Sequence, residues 1–356
     1  MGALSTIRNI YYRGSLEYCN YTCSYCPFGR KSASADTDGD REALHRFISR
    51  IGQWKHGALR ILIIPYGEAM IHRYYREGII RLAAMPHVAG VSCQTNLSFS
   101  VSRFLDEVEE ARADVTKIKF WASYHPEMAD VTDFASKIEK LHAAGIEVCA
   151  GVVGDPSAKE QIRRLRLLLD PSVYLFVNAM QGLRKPLSEE DVRFFNEMDN
   201  LFDYDRQNAK ACLNNCSGGR ESLFVDREGG MYACPRSGVR TGNFYDDSTS
   251  LLQPSCLRKV CDCYIAFSNL RDTPLRRMMG EGALWRIPER KKVRAVFFDI
   301  DGTLTDVQGR IPGRTVSALK YMSGRLPLYL STALPMAHAK KRLGDVFDLF
   351  SGGVFA

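Results

Sequence analysis

The chain has 356 residues and a formal net charge of +7, and 45% of its residues are hydrophobic. This length predicts two or three domains with buried cores. No apolar run is long enough to span a membrane and no signal peptide is present. The eleven cysteines fall in metal-like groups typical of a reducing compartment, so we expect a cytoplasmic protein with no membrane partner. The mild positive charge favours anionic cofactors and substrates, whereas no basic run interleaved with aromatic residues indicates nucleic acid.

Apolar runs alternate with amphipathic stretches as far as about residue 180, the pattern of repeated strand–helix units around a parallel sheet. The predicted strands cover residues 6–12, 59–65, 88–94, 116–123, 146–153 and 173–178. The predicted helices lie near 41–54, 72–84, 101–112, 130–144 and 158–169. Ligands of such sheets bind where the strands end, so the segments that follow the strands are the first place to look for a site.

Three cysteines follow the first predicted strand with the spacing CxxxCxxC: Cys19, Cys23 and Cys26. They supply three thiolates and no fourth, so a 4Fe–4S cluster bound there would keep one iron open to a ligand that is not protein. A structural zinc site needs four ligands, and the next Cys or His along the chain is His45. Zinc and a disulfide loop are the alternatives.

The cysteine spacing, with Tyr25 before the last cysteine, resembles the signature of radical S-adenosylmethionine (SAM) enzymes. In that family SAM occupies the open iron, and an electron from the cluster cleaves SAM to a 5′-deoxyadenosyl radical that abstracts hydrogen from the substrate. The resemblance implies an α/β fold with a partial (β/α)6 barrel over 1–182 and a flavodoxin- or ferredoxin-type electron donor. The run CNYxCxYCPF and the segments 12–14, 67–69 and 94–97 look like an uncharacterised bacterial branch of the family, over about 6–270.

Polar residues at the ends of the next predicted strands match SAM-binding positions of this family. Gly67 and Glu68 resemble its GGE motif, in which Glu68 would accept a hydrogen bond from the SAM amino group. The third and fourth strands end in residues from which family members touch the SAM ribose or carboxylate. The cofactor-binding set is Phe28, Gly67, Glu68, Asn96, Ser123 and His125. An ordinary strand–helix turn and polar strand ends facing solvent are the alternatives, and His125 could act instead as an acid or base on the substrate.

A second group of cysteines lies in 183–270. Cys216, Gly229 and Cys234 fit the CX9–15GX4C element of the SPASM and twitch extensions of radical SAM enzymes. Residues 224–226 and 231–233 are predicted to form a hairpin around a turn whose glycines permit positive φ. This resemblance implies a small twitch-like domain with one auxiliary 4Fe–4S cluster.

The ligands we favour for the auxiliary cluster are Cys216, Cys234, Cys261 and Cys263. Cys212 and Cys256 are further candidates, and both a second auxiliary cluster and a zinc ribbon remain open. Cys93 and Cys149 lie inside predicted strands and are expected to be small core residues.

The basic stretch 271–292 is interpreted as a linker or a peripheral helix with a solvated charged face. An apolar strand at 293–298 then runs into the sequence DIDGT, which resembles motif I of haloacid dehalogenase-like (HAD) phosphatases. The resemblance makes Asp299 a Mg²⁺-coordinated nucleophile and Asp301 the acid for the leaving group. Thr332 resembles the phosphate-binding residue of motif II. The later HAD motifs are missing, so 293–356 is expected to be a truncated or vestigial Rossmann-like segment rather than a competent phosphatase.

Together these features predict a radical SAM oxidoreductase that oxidises or epimerises a small molecule such as a phosphorylated sugar or nucleotide derivative. Radical modification of a ribosomal peptide or protein is the alternative, and no winged-helix-like leader-recognition segment precedes Cys19. An alternative of another class is a non-catalytic iron–sulfur or zinc protein that serves as scaffold or electron carrier.

Overall fold

The computed structural model describes residues 4–28, 36–180, 186–207, 210–211, 215–246, 260–289, 294–306 and 308–356. The chain divides into two compact units, Met1–Glu289 and Arg290–Ala356. None of the described helices is both long and apolar enough to cross a bilayer.

The strands of the first unit carry the site. In chain order they are β1 (Asn9–Tyr12), β2 (Leu59–Ile63), β3 (Val88–Thr95), β4 (Ile118–Tyr124), β5 (Glu147–Gly154), β6 (Leu175–Ala179), β7 (Lys210–Ala211), β8 (Ser222–Val225), β9 (Gly230–Tyr232), β10 (Arg240–Asn243) and β11 (Val260–Cys261). Nine of them form one sheet in the order β10-β9-β8-β1-β2-β3-β4-β5-β6, and β11 pairs with β7. Strands β1 to β6 are mutually parallel and β8 runs parallel to β1.

The first five helices of this unit connect the parallel strands, and three more follow β6 in the described part of the chain. They are α1 (Thr37–Gly52), α2 (Arg73–Ala83), α3 (Val101–Glu110), α4 (Val131–Ala143), α5 (Lys159–Leu168), α6 (Glu189–Met198), α7 (Phe202–Arg206) and α8 (Pro274–Met279). Side-chain caps begin several of them: Asp130 accepts from the amides of Thr132 and Asp133 at α4, and Ser188 and Asp191 form a reciprocal capping box at α6. The α/β class with a parallel sheet is confirmed, and each predicted strand and helix up to residue 180 matches an observed one.

The two faces of the sheet have separate cores. Helices α1 to α6 bury a large apolar cluster on one face, which includes Ile10, Phe47, Ile61 and Phe120. On the other face Tyr11, Trp121 and Phe176 pack with residues from 267–287. Cys93 and Cys149 are both fully buried, as predicted for core residues.

The segment predicted as a linker belongs to this second core as far as Ile287. Leu275, Leu284, Trp285 and Ile287 are buried there, and Arg286 is only 1% exposed because it forms an ion pair with Asp205 (Nη1–Oδ2 2.6 Å). The basic residues of 271–292 obscured this apolar spacing in the sequence. The interpretation as a linker or solvated peripheral helix is therefore wrong for residues 274–287.

The predicted hairpin is present, and it extends the main sheet. β8 and β9 pair antiparallel, and Gly229 in their turn has φ +81°, a conformation that glycine adopts without strain. β8 hydrogen-bonds alongside β1, with Val225 opposite Tyr12. Residues 215–246 therefore join the main sheet, whereas a separate small domain was expected over 183–270. Pairing with β1 satisfies a strand edge that would otherwise be open.

The second unit contains a three-stranded parallel sheet. Its elements are β12 (Val296–Phe298), α9 (Gly313–Ser323), β13 (Leu328–Ser331), α10 (Met336–Leu343) and β14 (Gly352–Val354), with the strands in the order β12-β13-β14. Ile300, Leu319, Leu330 and Leu343 form the centre of its core.

Candidate functional site

Four predicted site segments meet along the edge of the sheet where the parallel strands end, called the carboxyl edge below. The loop with Cys19, Cys23 and Cys26 follows β1, and Gly67 and Glu68 follow β2. Asn96 follows β3, and His125 follows β4. Ser123 lies within β4, one residue before its end. The parallel topology therefore brings residues far apart in sequence to one edge.

Asp40, in the first turn of α1, anchors the start of the cysteine loop. Its buried carboxylate accepts hydrogen bonds from the amides of Ser15 (2.6 Å) and Leu16 (2.9 Å) and from the hydroxyl of Tyr74 (2.9 Å). No role was predicted for Asp40, because an acidic residue in the first turn of a helix is ordinary.

Gly67 and Glu68 contact the backbone of the cysteine loop. The amide of Gly67 donates to the carbonyl of Leu16 (3.3 Å) and that of Glu68 to the carbonyl of Tyr18 (2.9 Å). A Cβ at position 67 would lie 1.8 Å from the Tyr18 oxygen. Only glycine permits this approach, which explains the glycine before the acid.

The Glu68 carboxylate joins the ends of β2 and β3. It is 2% exposed and accepts from the amide of Met70 (2.9 Å), the hydroxyl of Thr95 (2.7 Å) and the amide of Asn96 (2.5 Å). Burial raises its pKa to about 7, and the three hydrogen bonds oppose that rise. Thr95 was not predicted as its partner, although it precedes the predicted Asn96.

Asn96 connects this network to the first cysteine. Its side-chain amide donates to the Cys19 sulfur (3.8 Å) and to Oδ1 of Asn20 (3.2 Å), and Asn96 itself is buried. The amide of Tyr21 also donates to the Cys19 sulfur (3.4 Å). Hydrogen bonds to cysteine sulfur are among the features that set the reduction potential of iron–sulfur clusters.

The segment after β4 contacts the middle of the cysteine loop. Glu127 accepts from the amide (2.7 Å) and the hydroxyl (2.5 Å) of Ser24. The Tyr25 hydroxyl is 2.9 Å from Nδ1 of His125, and the two rings stack. Burial lowers the pKa of His125 to about 4, so its imidazole is neutral at pH 7. Neither Glu127 nor Tyr25 was predicted as a contact.

The three thiols of the loop are near neighbours. Burial, with smaller contributions from the thiols of Cys26 and Cys19, raises the pKa of Cys23 to about 11. Burial also raises the pKa of Cys19. Ionisation of these thiols is unfavourable in the absence of a cation, and the irons of a bound cluster would supply the compensating positive charge. The donor set of three cysteines therefore fits an iron–sulfur cluster.

Within the part of the chain that the structure describes, no three Cys, His, Asp or Glu side chains converge on one point as the ligands of a single metal ion would. The cysteines of a 4Fe–4S cluster bind separate irons rather than a shared one.

A cavity of about 250 Å³ lies beside the cysteine loop at the ends of β4 and β5. Its lining includes Tyr25, Glu127, Val153, Asp155 and Ser157. It therefore combines an aromatic ring, apolar surface and carboxylates, the mixture found in sites for small molecules and cofactors.

Phe28 lies two residues beyond the last cysteine of the loop and is 46% exposed. Its ring stacks on Tyr66 (centroids 4.7 Å apart), and Tyr66 lies under the guanidinium of Arg13 (4.2 Å). Phe28 was predicted, whereas Tyr66 and Arg13 were not assigned a role.

The cysteines of the second predicted thiol group interact electrostatically. Burial, with smaller contributions from the thiols of Cys263, Cys234 and Cys216, raises the pKa of Cys261 to about 12, so these three thiols lie within electrostatic range of Cys261. Backbone pairing holds them: Cys216 bridges Leu270, and Cys261 lies in β11. Four thiols supply the donors of an iron–sulfur cluster, whereas zinc would need all four on one ion, and no three of the described side chains converge in that way. Cys212 and Cys256 lie outside the described residues.

Tyr11 of β1 borders this second group. Its hydroxyl bonds to Oδ1 of Asn269 (2.8 Å) and to the hydroxyl of Ser268. Burial raises its pKa well above the ordinary value, and the thiols of Cys234 and Cys263 add to that rise. The sequence analysis did not single out Tyr11.

In the second unit Asp299 and Asp301 follow β12 and are exposed. Asp301 pairs with Arg342 of α10 (2.6 Å). Thr332 follows β13, and its amide donates to the carbonyl of Val354 (3.0 Å). The three predicted residues thus lie at the carboxyl ends of adjacent strands.

No protein-family model and no curated protein sequence matches the chain. Among solved structures, native anSMEcpe with bound AdoMet (SAM) is similar at 15% identity and a TM-score of 0.46, over 67% of this chain and 78% of that one. Streptococcus suis SuiB bound to S-adenosylmethionine aligns at 13% identity and TM-score 0.47, over 79% and 72%. BtrN in complex with AdoMet and 2-DOIA aligns at 16% and TM-score 0.36, over 67% and 78%. Likenesses at these values assign no activity to this chain.

Proposed function

We propose that this protein is a radical SAM enzyme. One observation carries the proposal: three near-neighbour thiols lie on one loop at the carboxyl edge of a parallel sheet, and buried polar groups from three other segments hold that loop. Cys19, Cys23 and Cys26 would bind a 4Fe–4S cluster through three irons. A structural metal site would need a fourth protein ligand at the same point.

The cluster and SAM would supply an electron and a carbon-centred radical that abstracts hydrogen. The chain's own residues position the cofactor. Three of about four acceptor positions on the Glu68 carboxylate are used internally, which leaves one for an ammonium group. Asn96, Ser123 and the neutral His125 lie at the ends of β3 and β4, and the cavity next to Tyr25 lies at the ends of β4 and β5. SAM would lie across these groups.

The second thiol group would hold an auxiliary 4Fe–4S cluster through Cys216, Cys234, Cys261 and Cys263. Its four donors leave no open iron if all of them bind, so its role would be to accept an electron from the substrate rather than to bind SAM. We propose oxidation or epimerisation of a small sugar- or nucleotide-like molecule. A ribosomal peptide is the competing substrate, and a flavodoxin- or ferredoxin-type protein is the proposed electron donor.

The second unit is proposed to be a partial HAD-like segment. Asp299, Asp301 and Thr332 would contribute at most a weak Mg²⁺ and phosphate site, since the ion pair with Arg342 already neutralises Asp301. Negligible hydrolysis of p-nitrophenyl phosphate with Mg²⁺ is the expected result, and turnover that Asp299→Asn abolishes would contradict it.

The test of the proposed function is SAM cleavage by the anaerobically reconstituted protein. With dithionite, the parent is expected to bind iron and sulfide and to form 5′-deoxyadenosine. Cys23→Ala should abolish 5′-deoxyadenosine formation and lower the iron content by about one cluster. Cys149→Ala is the matched control, because Cys149 is a buried residue of β5 that belongs to neither cysteine motif, and it should retain activity.

The same preparations separate the enzyme from a scaffold or electron carrier. A parent protein that holds clusters but forms no 5′-deoxyadenosine would contradict the proposal. Stoichiometric zinc with little iron, or unchanged product formation in Cys23→Ala, would contradict it equally.

A further inference from the structure

Arg13 is a partly buried cation without an anionic partner among the described residues. It follows β1 directly, and no carboxylate of the described residues lies within ion-pair distance of it. Its Nε–H donates to the carbonyl of Ile64 and its Nη1 to the hydroxyl of Tyr66, both at 2.9 Å. A guanidinium has five N–H donors, so three remain for another group.

Other buried arginines of the first unit differ from Arg13. Arg286 pairs with Asp205 (2.6 Å) and Arg76 with Glu107 (2.9 Å). Arg166 donates to three backbone carbonyls. Partial burial of a cation costs desolvation free energy unless an anion or several hydrogen-bond acceptors compensate the charge. Arg13 has two acceptors. Burial lowers its pKa, and the Tyr66 hydroxyl and the thiol of Cys263, a member of the second thiol group, oppose that shift.

The surroundings of Arg13 are aromatic and reach solvent. The guanidinium lies over the Tyr66 ring, and a second ring, that of Phe224, is 5.6 Å away. Tyr66 is 38% exposed and stacks on the 46% exposed Phe28. Together Arg13, Tyr66 and Phe28 form a surface at the carboxyl edge, beside the loop of Cys19, Cys23 and Cys26.

We propose that this surface of Arg13, Tyr66 and Phe28 binds an anionic oxygen group of the substrate, a carboxylate or a phosphate. The free edge of the guanidinium matches the paired oxygens of either group, and the exposed rings accept a flat or apolar part of the same molecule. The inference rests on the proposed function, because it is the adjacent cysteine loop that makes this the substrate side of the site.

The test uses anaerobically reconstituted protein and three probes: phenyl phosphate, benzoate and the neutral phenol. Calorimetric titration at constant ionic strength should show one saturable site for phenyl phosphate or benzoate, and about tenfold weaker binding of phenol. Arg13→Met should weaken binding of the anion at least about tenfold, the loss expected for a charged hydrogen bond. The probe that binds more tightly distinguishes a phosphate monoester from a carboxylate.

Three further variants distinguish the loss of the Arg13 charge from a general loss of folding. Arg8→Met is the matched control, because Arg8 precedes the same strand, is exposed, and donates only to backbone carbonyls. It should bind the anion like the parent. Arg13→Lys should recover part of the affinity. Tyr66→Phe removes a hydroxyl contact of Arg13 but keeps its charge, so the anion should still bind.

The inference is overturned if neither anion binds the parent, or if Arg13→Met binds as the parent does. It is also overturned if Arg13→Met loses iron, since Arg13 would then serve the second thiol group rather than the substrate. Formation of 5′-deoxyadenosine without substrate is measured alongside. If the parent protein forms no 5′-deoxyadenosine, the proposed function is contradicted. If Arg13→Met forms 5′-deoxyadenosine and binds the anion as the parent does, only this inference is contradicted.

Discussion

Two loops of this chain follow the first strand of a parallel sheet and carry the residues of a recognisable motif, yet they differ in what surrounds them. The loop after β1 is held by the buried carboxylate of Asp40, by the backbone amides of Gly67 and Glu68 and by the carboxylate of Glu127. The loop after β12 exposes Asp299 and Asp301, and Arg342 forms an exposed ion pair with the latter. A motif names the reactive groups, whereas the surrounding contacts decide whether they are held in one geometry.

The largest expected effect is that of Gly67→Ala. The added Cβ would overlap the Tyr18 carbonyl, so the cysteine loop or the turn after β2 must move. We expect most of the bound iron to be lost and the protein to be destabilised by about 2–3 kcal/mol. Iron analysis and urea unfolding measure these losses.

The control for Gly67→Ala is Gly238→Ala, because a Cβ there meets no atom within 4 Å. It should keep its iron and its stability. If both variants retain iron equally, the cysteine loop does not depend on the close approach at Gly67.

Glu68 should make stability depend on pH. Burial raises its pKa from an ordinary 4.5 to about 7, so the folded protein binds this proton more tightly than the unfolded chain does. The Glu68 carboxyl group therefore makes its full contribution to the free energy of unfolding below pH 4.5. This contribution is lost as the pH rises to about 7 and does not change further at higher pH. The total change is roughly 3 kcal/mol at most.

Urea unfolding of the parent and of Glu68→Gln measures this effect. The free energy of unfolding of the parent should exceed that of Glu68→Gln by a larger amount at pH 5 than at pH 8. The exposed Glu77→Gln on α2 serves as control and should show no such difference. An advantage of the parent that grows with pH would mean that the buried carboxylate is stabilised in its charged form.

Asp40→Asn is expected to destabilise the protein by about 1–3 kcal/mol, because it replaces an acceptor of four hydrogen bonds with a group that accepts on one side only. Asp38→Asn in the same helix turn, where the side chain is exposed, should cost much less. Equal losses in urea unfolding would show that Asp40 acts only through its helix.

The smallest effect is expected in the second unit. Asp301→Asn removes an ion pair whose side chains are about half exposed, so solvent and salt screen it. We expect a change of no more than about 0.5 kcal/mol in the unfolding of this unit, followed by circular dichroism. A loss above 1 kcal/mol would show that the loop after β12 is held as firmly as the loop after β1.

Much of the fold could be predicted, because its signals are local. Each strand up to β6 is an apolar run, and each connecting helix shows a 3.6-residue period. The segment 271–292 could not be assigned in this way, since Arg286 is buried only because Asp205, 81 residues earlier, neutralises it. Likewise no local signal indicates that β8 pairs with β1.

The chain alone determined the kinds of atom available for chemistry, the order of the strands and helices, and hence the edge at which the reactive groups gather, because side-chain type and periodicity are properties of neighbouring residues. Only the tertiary structure decided which partners those groups have: Thr95 and Asn96 for Glu68, Ser24 for Glu127, and no carboxylate among the described residues for Arg13. Hydrogen bonding and burial depend on residues brought together across the sheet, and such pairings have no local pattern in the sequence.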